Sequence, residues 1–107
     1  MANSTAMCTS FKGELLTGTH NFTPSTGNTF KAALYFATGS LGAATTVYST
    51  TNEVTNTSGT GYTAGGVTVT NANAPATSGT TAYWTPSASF SWSALTVTTA
   101  FDAVLIY

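Results

Sequence analysis

The sequence predicts a mainly β protein, a small antiparallel β-sandwich or barrel-like domain with one short N-terminal helix. Only 5% of the 107 residues are charged and 42% are hydrophobic. The polar positions are mostly Thr, Ser, Asn and Gly, which favour strands and the turns between them. Short apolar or alternating runs are separated by turn residues, as in antiparallel sandwiches and small barrels. We expect residues 1–107 to form a single domain around one hydrophobic core.

An amphipathic helix is predicted over residues 5–16. Its apolar face carries Met7, Phe11 and Leu15. These residues follow one another at intervals of four, which is the spacing of one helix face. Ser4 or Thr5 is expected to be the N-cap. The apolar face is expected to pack on one face of the sheet or on a neighbouring subunit.

Residues 29–37 are predicted to form a central strand, because apolar side chains occupy both of its faces. We expect the helix to cover one face of this strand and a second sheet to cover the other. Further strands are predicted over residues 45–49, 66–71, 81–84, 90–92, 95–98 and 101–107. Residues 71–79, which contain Pro75, are predicted to form a loop.

The segment at 101–107, FDAVLIY, is the most apolar stretch, and it reaches Tyr107 without a turn or a polar cap. Three interpretations stay open. The segment is a central strand protected by its neighbours, it pairs across a subunit boundary, or the native chain continues beyond it.

The glycine-rich stretch at 53–66, EVTNTSGTGYTAGG, is predicted to form a structured turn between strands. The residues assigned to this turn are Glu53, Gly59, Gly61, Tyr62, Gly65 and Gly66. The glycines allow positive φ angles or close backbone approach, and Tyr62 is the large side chain that can anchor the loop to a core. We expect the Glu53 carboxylate to accept hydrogen bonds from N–H groups of this loop.

The charge balance argues against nucleic acid as a partner. The net charge is −1, and Lys12 and Lys31 are the only Lys or Arg residues, so no basic surface can form. No stretch approaches the roughly 18 apolar residues of a membrane span, and we expect no membrane partner. A nearly neutral surface favours packing against identical neighbours.

Few residues are available for catalysis. Cys8, His20 and Asp102 supply the residue types of a thiol triad, but Cys8 is expected on the apolar side of the helix and His20 in a loop. The carboxylates Glu14, Glu53 and Asp102 are scattered, and one histidine is too little for a typical zinc site. We expect no enzyme, no metal and no cofactor.

An aromatic cluster in the second half of the chain has two interpretations. Tyr83, Trp84, Phe90 and Trp92 lie close together in sequence. They form either an exposed platform for sugars, as in carbohydrate-binding modules, or core and subunit contacts. The second is favoured. The candidate interface residues are therefore Met7, Phe11, Leu15, Trp84 and Trp92.

Four stretches resemble small structural proteins of tailed bacteriophages. They are SFKGELLTGTHNF at 10–22, FKAALY at 30–35, TTNEVTNTSGTGYTAGG at 50–66 and FDAVLIY at 101–107. An E-V-(S/T)-G-x-G-Y type of turn recurs in those proteins. Here residues 55–58 lengthen it.

The resemblance implies a virion component without enzymatic activity. Within that class we favour a capsid decoration or cement protein that binds the shell of the major capsid protein, as a homo-oligomer and preferably a trimer. The alternative is a tail- or fibre-associated receptor- or carbohydrate-binding module that uses Tyr83, Trp84 and Trp92.

Overall fold

The structure is a computed structural model that describes residues 2–55 and 61–107. Its elements in chain order are α1 (Thr9–Leu16), β1 (Lys31–Phe36), β2 (Val67–Thr68), β3 (Ala76–Ser78), β4 (Thr81–Tyr83) and β5 (Phe101–Ile106). All strand pairings are antiparallel, and the strands of the described residues do not close into a barrel. The prediction of a small, mainly β protein with one short helix is confirmed.

The main sheet has the order β2-β1-β5, so β1 lies in its centre. Residues 32–35 of β1 are buried, which fits the apolar side chains on both faces of this strand. Lys31 and Tyr107 exchange backbone hydrogen bonds of 2.8 and 3.0 Å, and Ala33 lies opposite Leu105. The register shifts after Tyr35. β1 and β5 therefore form the longest ladder in the molecule.

One face of the main sheet carries the hydrophobic core as two adjoining clusters. The first cluster contains Phe30, Ala32 and Val69, with Phe22, Val67, Trp84, Phe90 and Trp92 against it. The second contains Leu34, Val54 and Tyr62, with Phe36, Trp92, Leu95 and Val97 against it. Trp92 packs against both clusters and joins them. Most of the residues that cover this face belong to segments without regular secondary structure.

The segment that precedes Glu53 covers the other face of β1. The Tyr35 hydroxyl donates a hydrogen bond of 2.5 Å to the Ser49 carbonyl oxygen. The ring of Tyr48 stacks on that of Tyr107 with centroids 4.5 Å apart. The prediction that a helix and a second sheet cover the two faces of β1 is therefore wrong, because irregular segments cover both faces.

The helix begins later than predicted. Its first residue is Thr9, and its N-cap is Cys8, without a capping side-chain hydrogen bond. The predicted N-cap residues Ser4 and Thr5 lie before the helix and do not cap it. The Ser4 N–H donates instead to the Leu41 carbonyl oxygen at 2.8 Å. The segment before Thr9 is thus held against the loop after β1 instead of continuing the helix.

No residue of α1 is buried. Phe11 contacts the ring of Phe22 at a centroid distance of 6.2 Å, and Phe22 stacks on Phe30 in the core. Met7 and Leu15 are 53% and 40% exposed. The apolar face of the helix is therefore left largely uncovered by this chain, and its docking on a neighbouring subunit stays a prediction.

Several predicted strands are wrong. Residues 45–49, 90–92 and 95–98 are irregular, and the strand predicted at 66–71 is reduced to Val67–Thr68. Trp92, Leu95 and Val97 bring side chains to the core without joining a sheet. The strand predicted at 81–84 is present as β4.

The loop predicted at 71–79 contains β3, which pairs with β4 in a hairpin through Gly79 at φ +57°. All strand residues of this hairpin are exposed. The hairpin is therefore a projecting element and not the second layer of a sandwich.

Two glycines of the turn allow close backbone contacts. Gly66 has φ +70°, and a Cβ atom there would lie 1.8 Å from the Ala32 carbonyl oxygen. A Cβ atom on Gly61 would lie 2.3 Å from the carbonyl carbon of Ala94. Gly66 immediately precedes β2, so its lack of a side chain permits the β1–β2 pairing.

We expect Gly66→Ala to lower the free energy of unfolding by about 2 to 6 kcal/mol, from the strained φ angle and the overlap with Ala32 together. Gly13→Ala is the matched control, since nothing lies within 4 Å of a Cβ atom there. This change should raise stability by about 0.5 to 1 kcal/mol through helix propensity. Urea denaturation of both variants tests this, and equal stabilities would contradict the role given to Gly66.

Candidate functional site

The buried carboxylate of Glu53 is the centre of the most highly connected polar site. Glu53 forms an isolated antiparallel bridge with Tyr35 and is only 3% exposed. The next residue, Val54, donates its N–H to the Leu34 carbonyl oxygen at 2.9 Å. The segment thus runs beside β1 and places the Glu53 side chain at the boundary of the core.

Three donors among the described residues form hydrogen bonds with this carboxylate. We call the carboxylate and its donors the Glu53 cluster, which consists of Glu53, Tyr48, Tyr62 and Gly65. Oε1 accepts hydrogen bonds from the Tyr62 hydroxyl and the Gly65 N–H, both at 2.7 Å. Oε2 accepts one from the Tyr48 hydroxyl at 2.5 Å. Hydrogen bonds to an ionised acceptor are stronger than neutral ones, and a buried charge needs such partners.

Tyr62 links this carboxylate to the central strand. Its hydroxyl donates to Glu53 and accepts the Leu34 N–H at 3.0 Å. The Tyr62 side chain is buried, and its ring lies 6.3 Å from that of Trp92. The phenol therefore takes the place of a neighbouring strand for one backbone group of β1.

The glycine turn folds around Glu53 much as the sequence indicates. Gly65 supplies the expected loop N–H, and its carbonyl oxygen accepts a hydrogen bond of 2.9 Å from the Tyr107 hydroxyl. Gly61 and Gly66 act through the close approaches described above. Gly59, also assigned to this turn, lies outside the described residues. Tyr48 was missed as a partner of Glu53, because a strand was predicted there and no local motif pairs the two.

The environment of the Glu53 cluster raises the pKa of several tyrosines above the ordinary value of 10.0. For Tyr48 the main cause is the hydrogen bond to Glu53. For Tyr62 it is burial, followed by the hydrogen bond to Glu53. Burial is the first cause for Tyr35 and Tyr107, whose pKa values are also raised by the nearby negative charge of Glu53. The cluster therefore requires protonated phenols.

The candidate aromatic platform is not assembled on one surface. Trp84 packs against Phe22 and Phe30 at centroid distances of 5.0 and 5.7 Å, and its indole N–H donates to Asn71 at 2.9 Å. Trp92 packs between the two core clusters. Tyr83 on β4 is 47% exposed. Phe90 also packs against the first cluster. Three of the four rings thus serve the core.

The residues considered for a thiol triad have other partners. The Cys8 thiol lies 3.6 Å from the Gly42 carbonyl oxygen. His20 Nε2 lies 2.6 Å from Glu14 Oε2. Asp102 Oδ1 accepts a hydrogen bond of 2.6 Å from the Asn3 amide. Among the described residues, no group of three or more His, Cys, Asp or Glu side chains is placed to hold a metal ion.

An open apolar groove of about 570 Å³ lies along β5. We call it the β5 groove. Its walls are formed by residues 6–8, 10 and 11, by residues 45–48 and by Val104 to Tyr107, and Phe22 and Phe30 line it from the side of the core. A smaller cavity of about 220 Å³ adjoins the start of β5. The apolar character of 101–107 was the sequence signal for this surface, but the sequence did not indicate a groove.

Comparisons with models of protein families, with curated proteins and with solved structures found no match for this chain. No helix within the described ranges has the length and apolar character needed to cross a membrane.

We expect Glu53→Gln to lower the free energy of unfolding by about 2 to 4 kcal/mol, because an amide cannot accept the hydrogen bonds of all three donors. Glu14→Gln removes the same charge from an exposed position. It should change stability by less than about 1 kcal/mol. Chemical denaturation at neutral pH measures both variants, and equal losses would show that net charge, not the Glu53 cluster, is responsible.

Alkaline pH should destabilise the protein through its tyrosines. The raised pKa values of Tyr48 and Tyr62 mean that the folded state keeps phenolic protons which the unfolded chain loses near pH 10. The contribution of these two phenols to stability should therefore be constant below about pH 10 and fall as the pH rises further. Denaturation between neutral pH and strongly alkaline pH, with absorbance to follow tyrosinate, measures this. A Tyr48→Phe, Tyr62→Phe double variant should show a shallower decline, and an equally steep one would contradict the assignment.

Proposed function

We propose that this chain is a non-enzymatic structural protein of a tailed-bacteriophage virion. Its place in the particle is that of a capsid decoration or cement protein bound to the shell of the major capsid protein. The sequence resemblance supports the assignment to virion structural proteins, and the exposed apolar surface of the fold supports an assembly role.

The stretches that carry the resemblance include the central framework of the fold. They contain β1, Glu53 with its partners Tyr62 and Gly65, and β5. These parts form the main sheet and its principal polar anchor. The resemblance thus rests on residues that build the framework of the fold.

The exposed apolar surface is the observation that carries the assembly role. Large apolar side chains are exposed at Met7, Leu15, Leu16, Val47, Tyr83, Phe101, Val104 and Ile106. Several of them belong to α1, to β5 or to the segment before α1. Met7, Val47, Val104 and Ile106 line one groove, and contiguous apolar surface of this kind on a small protein marks a site of contact with another protein. The low charge of the chain leaves little electrostatic repulsion against such contacts.

The proposed assembly is a homo-oligomer, preferably a trimer, at the threefold positions of the shell. The uncovered face of α1 and the edge strand β5 are the surfaces available for contacts between copies or with the shell. The fibre-associated carbohydrate-binding alternative has less support, because Trp84 and Trp92 pack within the core clusters.

Copy number in purified virions tests the proposal. The protein band should amount to hundreds of copies per particle when gel densitometry is calibrated against the major capsid protein. A handful of copies would place the chain in the tail and refute the decoration role, and its absence from virions would refute the virion role.

A further inference from the structure

β5 presents an unpaired edge to the β5 groove. Lys31 and Tyr107 exchange backbone hydrogen bonds. Hydrogen-bonded and non-hydrogen-bonded residue pairs alternate along an antiparallel ladder, so Ala33 and Leu105 form the next hydrogen-bonded pair. The N–H and C=O groups of Val104 and Ile106 therefore point away from β1. β5 is the outer strand of the sheet. No hydrogen bond within the described ranges uses these four groups.

The side chains beside this edge are apolar. Val104 and Ile106 are 49% and 43% exposed, although they share the face of Leu34 and Ala32, which are buried. The β5 groove is bordered by side chains from both faces of β5, so it follows the strand edge and not one face. Unpaired backbone groups flanked by apolar side chains are what a sheet offers to an added strand.

The acidic and histidine side chains around the edge are already engaged. Glu14 and His20 line the β5 groove and lie 2.6 Å from each other. Asp102 lines the smaller cavity and is bonded to Asn3. A charged occupant would find no unpaired opposite charge here and would lose hydration in an apolar groove. The charge pattern therefore selects an uncharged occupant.

The N-terminal segment bounds the space beside β5. Residues of the N-terminal segment line both cavities across from β5, and this segment is held by hydrogen bonds from Ser4 to Leu41 and from Thr9 to Ala43. In a second copy, β5 is itself paired with β1. If that β5 paired with this edge, its β1 would have to fit where the N-terminal segment lies. An extended arm or loop has no such companion strand.

We propose that the β5 groove binds an extended, uncharged segment of another protein chain, which adds a strand to the main sheet on the edge of β5. The backbone of the segment pairs with Val104 and Ile106, and its alternate apolar or β-branched side chains occupy the groove. This binding mode does not depend on the proposed place in a virion.

The experiment uses the full chain, labelled with ¹⁵N, and a blocked peptide of alternating threonine and valine, about seven residues long. We expect saturable shifts of the Val104 and Ile106 amide signals. Hydrogen exchange of these two amides should slow at least about tenfold at saturation. No saturable change at millimolar peptide, or changes confined to other surfaces, would overturn the proposal.

Val104→Pro removes one outward N–H and leaves the hydrogen bonds to β1 in place, since proline is tolerated on the open side of an edge strand. It should weaken peptide binding at least about tenfold. Val104→Thr keeps the N–H and the β-branched shape and should keep the affinity. Slow hydrogen exchange of the Ala33 and Leu105 amides, as in the wild type, verifies that β5 still pairs with β1, and Ile106→Pro replaces the first variant if that one does not fold. Equal affinity of the folded proline variant and the wild type would overturn the pairing.

Two further measurements address the occupant. A peptide of alternating lysine and valine should bind more weakly, and equal binding would overturn the assignment of an uncharged segment. Sedimentation of the protein alone should show no association that Val104→Pro abolishes. Association of that kind would assign the edge to a second copy and overturn the proposed partner.

Discussion

The buried carboxylate of Glu53, held without a cationic partner among the described residues, is the constraint on which the surrounding structure depends. Moving a carboxylate out of water costs several kcal/mol unless hydrogen bonds replace its hydration. Tyr48, Tyr62 and Gly65 provide them from three separate parts of the chain. Each of these parts has a second task. Tyr48 belongs to the segment that covers the Tyr35 face, Tyr62 fills the core, and Gly65 precedes the turn into β2. Satisfying one carboxylate therefore fixes the packing on both faces of β1.

The composition explains why hydroxyl groups serve as the donors. With only two Lys or Arg residues in the chain, a guanidinium or ammonium partner is scarce, whereas five tyrosines are present. A tyrosine hydroxyl can also accept, and the Tyr62 hydroxyl accepts the Leu34 N–H while donating to Glu53. The Tyr35 hydroxyl likewise holds an irregular segment, by donating a hydrogen bond to the Ser49 carbonyl oxygen. Side-chain hydrogen bonds of this kind allow irregular segments to cover a short sheet. In a β-sandwich, a second sheet provides that cover.

The sequence predicted those parts of the fold that depend on residues close together in the chain. The apolar run in β1, the apolar segment of β5 and the glycine turn around Glu53 and Tyr62 were all visible in the sequence. The Thr-rich segments around Val47 and Val97 have strand-like composition, but β propensity states only that a residue suits a pleated surface and not that a partner is in reach. The segment before helix α1 is bound to the loop after β1 through Ser4 and Thr9, which are contacts between distant parts of the chain. The β5 groove and the pairing of Tyr48 with Glu53 are likewise products of tertiary structure.

The exposed edge of β5 beside an apolar groove is consistent with the proposed assembly role, and the hydrogen bonds at Glu53 hold the sheet that presents this edge. The role of these hydrogen bonds is the premise for the rest, and a double-mutant cycle between Glu53→Gln and Tyr62→Phe tests it most directly. Unfolding free energies of the wild type, both single variants and the double variant give the coupling between the two side chains. The account predicts a coupling of about 1 to 3 kcal/mol. Additive losses, with a coupling near zero, would show that the carboxylate and the phenol act independently and would contradict it.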